Sequence, residues 1–126
     1  MIQEIIKKLK FRDTAFVLNC PPELGAEFLK LGFKTKCPET KSANTLAFMK
    51  SKTELLHFLN NDLDNIEHDS VLWLAYPKGT SKMKTDINRD TIRETAEEFG
   101  LGTVTAISIN DTWSALRFRP LEMVGK

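Results

Sequence analysis

The sequence predicts a layered α/β fold: a mixed sheet carrying helices on both faces and ending in an antiparallel hairpin. Three observations predict it. Short apolar runs alternate with stretches whose apolar residues recur at helical spacing. One run, Val71-Leu72-Trp73-Leu74-Ala75-Tyr76, is apolar at every position, as a strand covered on both faces must be. Two strand-like runs then close the chain around Asn110-Asp111-Thr112, a hairpin pattern. In 126 residues, 41% hydrophobic and 28% charged, these elements fit one domain, residues 1–126, with one core and no need of disulfides or a structural metal. The outline is Rossmann-like.

Taken in order, Ile2, Ile5, Ile6 and Leu9 predict a short amphipathic helix within residues 1–11 that caps the core. Thr14 to Asn19 reads as a buried strand ended by Cys20-Pro21-Pro22. Leu24, Phe28 and Leu31 then mark a helix, with Pro22 suited to its first turn and Gly32 to its end. Phe33 to Cys37 is a short strand candidate, residues 38–44 have loop composition, and Thr45 to Met49 reads as a strand. Ser51-Lys52-Thr53-Glu54 matches a capping box, followed by a stripe of Leu55, Leu56, Leu59 and Leu63. Asn60 to Ser70 reads as a polar connection to the central strand, Val71 to Tyr76. Pro77 to Asp90 is polar, and Thr91-Ile92-Arg93-Glu94 offers a second capping box ahead of Ala96, Phe99 and a terminating Gly100. The hairpin strands are Thr103 to Asn110 and Trp113 to Arg119.

Charge excludes several functions. Eighteen Lys and Arg against 17 Asp and Glu leave a net +1, too little for a general binder of nucleic acid or anionic lipid. The basic and aromatic residues are also not interleaved as a stacking groove requires. Two cysteines predict reduced thiols, and the lack of an export pattern or a membrane-length apolar run predicts a cytoplasmic chain. Neither cysteine is spaced with a histidine as zinc ligands are, so no metal is expected. Cys20, between a strand and a helix, reads as a structural thiol. No serine sits in a nucleophile elbow, and the turn after the first strand has prolines where a cofactor loop needs glycines and N–H donors. No cofactor is expected.

Residues 77–89 leave the carboxyl end of the central strand, where open α/β sheets bind ligands. They carry four cations, Lys78, Lys82, Lys84 and Arg89, against Asp86. Gly79 permits close approach, Thr80 and Ser81 offer hydroxyls, and a following helix start favours an anion. A phosphate, sulfate or carboxylate fits this stretch; so does a solvated basic loop. The final strand places Trp113, Ala115, Arg117 and Arg119 on one face and Ser114, Leu116 and Phe118 on the other. The first set suits stacking and ion pairing with a ligand, or equally a sheet face on which arginine stems pack.

The stretch Val71 to Lys82, the segment from Ile87 to Gly100-Leu101, and Asp111-Thr112-Trp113-Ser114-Ala115-Leu116-Arg117-Phe118 resemble an uncharacterised bacterial family known as domain of unknown function 3052. That resemblance implies a small α/β domain and supplies no catalytic residues. The order of central strand, helix and antiparallel hairpin also looks like the later half of a class I methyltransferase. Two functions are therefore expected as alternatives. The first is a non-enzymatic module holding an anionic ligand with Lys78, Gly79, Thr80, Ser81, Lys82, Arg89, Trp113, Arg117 and Arg119. The second is a degenerate S-adenosylmethionine-dependent transferase with an altered pocket near Asn19 to Gly25.

Overall fold

The computed structural model describes residues 16–19, 42–62, 66–78, 87–109 and 112–124. Five strands form one mixed sheet. They are β1 (Phe16–Leu18), β2 (Ser42–Phe48), β3 (Ile66–Pro77), β4 (Leu101–Ser108) and β5 (Trp113–Pro120), in the order β1-β2-β3-β5-β4. The first three run parallel, and β5 is antiparallel to both of its neighbours. The expected central strand does lie in the middle of the sheet, and Val71 to Tyr76 are all buried. Parallel neighbours need crossovers, which is why a helical segment separates β2 from β3.

Helix α1 (Lys52–His57) starts where the first capping box predicts. Ser51 Oγ accepts from the Glu54 N–H at 3.2 Å, while the Glu54 carboxylate accepts from the Lys50 N–H at 2.8 Å, one residue earlier than in the standard box. A π-helical turn (Phe58–Asp62) continues it. This wider turn buries Phe58 together with Leu55 and Leu59, whereas Leu56 of the expected stripe is only half-buried. Helix α2 (Arg89–Glu97) corrects the second capping box. Its cap is Asn88, three residues before Thr91. The Asn88 carbonyl accepts from both the Thr91 N–H at 2.9 Å and the Thr91 hydroxyl at 3.1 Å, so an asparagine, a stronger cap than threonine, claims the start. Asn88→Ala is expected to cost about 1 kcal/mol, read as a lowered urea midpoint. Gly100, with φ of 82°, ends the segment as its sequence position predicts.

Two strand boundaries also move. β2 begins at Ser42 inside the expected loop, and β3 begins at Ile66 inside the expected connection. The two extensions pair with each other, Ser42 beside Ile66, so each supplies the hydrogen bonds that the other's polar sequence conceals. β4 likewise starts at Leu101 and stops at Ser108. β4 and β5 pair antiparallel, as expected of the hairpin strands.

Both described helices pack into one cluster. Leu55, Phe58 and Leu59 from the first segment and Ile92 and Ala96 from α2 meet Leu18, Ala47, Leu72, Leu74, Tyr76, Leu116 and Phe118. By strand alternation the opposite face carries Val17, Leu46, Phe48, Trp73, Ala75, Trp113 and Ala115, all buried as well. The helices expected over residues 1–11 and 22–32, the strand candidate at 33–37 and both cysteines lie outside the described residues. No helix among the described residues is long and apolar enough to cross a membrane.

Candidate functional site

On the helix-covered face, the β3–β5 pairs are apolar until the carboxyl end of β3. Leu72 aligns with Phe118 and Leu74 with Leu116, but the next row is Tyr76, Ser114 and Ser108 across β3, β5 and β4. Three adjacent strands thus each place a hydroxyl on one line. Tyr76 and Ser114 share a side-chain hydrogen bond. Lys78, just past β3, donates from Nζ to Ser108 Oγ at 2.6 Å, and its backbone N–H donates to the Thr112 carbonyl at 2.7 Å. The hairpin end therefore orients the lysine.

Arg89 opens α2 beside this row. Burial pushes the Tyr76 phenol above its usual 10.0, and the Arg89 guanidinium, then the Ser114 hydrogen bond, partly offset that rise. Because the folded value is raised, the stability carried by the neutral phenol is complete below pH 10.0 and is lost as pH climbs through the folded value. Tyr76 is the sole tyrosine of the chain, so its ionisation is readable directly by tyrosinate absorbance. Arg89→Ala is expected to move that titration further upward; an unchanged midpoint would place the guanidinium away from the phenol.

Between α2 and β4 lies a cleft of about 410 Å³, with Arg89, Asp90 and Arg93 on one wall and Thr103, Thr105 and Ala106 on the other. Arg93 is 3.8 Å from Asp90, an exposed pair of small energetic weight. Cationic and hydroxyl donors dominate this end of the sheet, which suits holding an anion. Among the described residues no group of three His, Cys, Asp or Glu side chains could hold a metal. His57 is exposed on α1, where its Nδ1 lies 3.3 Å from the Asn61 amide.

The residues picked from sequence are divided by the sheet. Lys78 and Arg89 stand on the helix-covered face. Gly79, Thr80, Ser81 and Lys82 lie outside the described residues. Trp113, Arg117 and Arg119 belong to the other face. Trp113 does not offer an open surface: its indole is 0% exposed and packs edge-on against Phe48, centroids 5.1 Å apart at 83°. Arg117 aligns with Trp73, its Nε buried without a hydrogen bond, and Arg119 aligns with Gly102. Sequence reasoning missed Tyr76, Ser108 and Ser114. The available signal was alternation itself, which already put Ser114 on the face opposite the arginines.

No family model matches the chain, so none supports the resemblance to the bacterial domain family, and no curated protein matches it by sequence. Solved structures do match. A SAM dependent methyltransferase from Aquifex aeolicus is similar over 92% of this chain and 87% of its own, at 10% identity and a TM-score of 0.56. LepI in complex with SAM is similar over 94% of this chain, at 13% identity and a TM-score of 0.52, and this chain spans 39% of its length. The mixed sheet and its antiparallel end are thus those of a methyltransferase-like Rossmann fold.

Proposed function

We propose that the chain is a methyltransferase-fold binding module that takes a small phosphate-, sulfate- or carboxylate-bearing ligand at the carboxyl end of β3. The observation that supports it is the hydroxyl row Tyr76, Ser114 and Ser108, flanked by Lys78 and Arg89. The lysine supplies a point charge, the guanidinium a planar fork and the serines hydrogen bonds. The reading is one of binding without turnover, with Lys78 Nζ held as a donor to Ser108 Oγ. On the strength of the Trp73 to Lys78 and Trp113-Ser114 elements, we also place the sequence with domain of unknown function 3052.

The fold likeness favours one alternative, binding of S-adenosylmethionine or its demethylated product near the end of β1. One panel separates the two. Inorganic phosphate and sulfate are expected to stabilise the chain thermally and to raise the Tyr76 titration, because a bound anion opposes a phenolate. Lys78→Ala combined with Lys82→Ala is expected to abolish both effects; undiminished stabilisation would reject this site. Stabilisation by S-adenosylhomocysteine, unaffected by the lysine changes, would favour the alternative.

A further inference from the structure

We propose that the ligand of this site is a dianion, a small molecule with an acidic group at each end of a short apolar stem. One end lies at the hydroxyl row and the other in the cleft between α2 and β4. The proposal rests on the anion-binding reading and deepens it. Row and cleft are continuous. β3 and β4 are both antiparallel to β5, so they run in the same direction, and α2 leads from the end of β3 back towards the start of β4. Its first residue, Arg89, therefore stands near the hydroxyl row, and Arg93, about 6 Å further along the helix, stands beside the earlier part of β4. Four residues apart, the two guanidinium groups share one side of α2, and both line the cleft.

The floor between the two ends is apolar. Below Ser108 and Ser114, the next pair on the same face is Ala106 beside Leu116, and both line the cleft. Two residues along a strand span about 7 Å, close to the helical turn that separates the arginines. The register shift between Thr103 and Thr105 then inserts Val104, which is 43% exposed and also lines the cleft. Bulges re-aim side chains in this way beside functional sites. Thr103 is in register with the core residue Phe118, so it lies on the same face and brings a hydroxyl to the Arg93 end. A cleft of about 410 Å³ with an apolar middle and a few polar groups at its ends is built to orient a small molecule of matching pattern.

Charge sets the number of acidic groups. Among the described residues of row and cleft, the cations Lys78, Arg89 and Arg93 stand against one carboxylate, Asp90, which leaves two positive charges for a ligand to balance. Asp90 is the local competitor. It lies 3.8 Å from Arg93 with 77% of its side chain exposed, so the pair is weak and the guanidinium can exchange Asp90 for a ligand carboxylate. The end of α2 is not itself the site, because the Asn88 side chain already accepts from the Thr91 N–H and caps it. Recognition rests on the arginine side chains, whose planar forks match carboxylate and phosphate oxygens.

Isothermal titration calorimetry with adipate and hexanoate tests the proposal, since the two have carbon chains of equal length and differ by one carboxylate. Adipate is expected to bind about tenfold or more tightly, as one further charge-assisted contact should give. Arg93→Gln, at an exposed position, is expected to remove that margin. Asp90→Asn is expected to widen it severalfold by releasing Arg93, a gain that damage to the fold could not imitate. Adipate binding no tighter than hexanoate, or a margin that survives Arg93→Gln, would overturn the dianion. Inorganic phosphate keeps this inference apart from the reading beneath it. Phosphate binding that needs Lys78 and Lys82, without an adipate margin, rejects the dianion alone. Phosphate binding indifferent to both lysines rejects the anion site and the dianion with it.

Discussion

Replacing Trp113 with alanine is expected to remove about 3–5 kcal/mol of stability, a large share of the roughly 5–15 kcal/mol that holds a domain of this kind folded. The indole has no exposed surface, and it meets Phe48 edge-on at 5.1 Å. Truncation loses the transfer energy of a large ring, leaves a cavity on the sheet face and forfeits an aromatic pair worth about 0.5–1.5 kcal/mol. Urea unfolding should show a lowered midpoint at constant slope, and a loss below about 1 kcal/mol would mean the ring is not packed as described. The consequence reaches the candidate site. Trp113 opens β5 beside Pro77, and the next residue, Ser114, is the middle hydroxyl of the row at the end of β3. Loosening that end should release the Tyr76–Ser114 bond and weaken phosphate binding by Lys78. Trp113→Phe, which keeps an aromatic ring, should cost less.

The same residue shows where the sequence was legible and where it was not. Period-two alternation assigned Trp113, Arg117 and Arg119 to one face and Ser114, Leu116 and Phe118 to the other, and the register agrees. Alternation cannot say which face is open. A tryptophan between polar residues near a chain end fits an exposed platform as well as a core position, and only the Phe48 contact decides between them. The central strand was legible because full burial demands an unbroken apolar run, and Val71 to Tyr76 supplies one. The first helix start was legible because capping is local: Ser51 and Glu54 make the expected bonds within four residues. Asn88 displaced the second box by the same local chemistry, since an asparagine just upstream makes a better cap than Thr91. The early parts of β2 and β3 were hidden because their pairing is mutual and non-local. The hydroxyl row was hidden for the same reason. Tyr76, Ser108 and Ser114 come from three strands, and only their register makes them neighbours.

A second large effect is expected from adding volume beneath that tryptophan. Phe48 is on β2 and Trp113 on β5, so β3 runs between them, yet their rings touch. Ala75 is the β3 residue in register with Phe48, and Ala115 is its partner on β5; both are fully buried. A small residue at 75 is therefore what lets the two rings meet above β3. Ala75→Leu places a branched side chain into that contact and should cost about 1–3 kcal/mol by overpacking. The two substitutions should not add. With Trp113→Ala in place, the vacated volume accommodates the new leucine, so Ala75→Leu should cost less, or even stabilise, with a coupling of about 0.5–3 kcal/mol in a double-mutant cycle. An equal penalty for Ala75→Leu with and without the tryptophan would show that the gap above β3 is filled from elsewhere. A lower penalty would fix Ala75 as the position that joins the two halves of this face, and with it the alignment of β3 and β5 on which the Tyr76, Ser114 and Ser108 row depends.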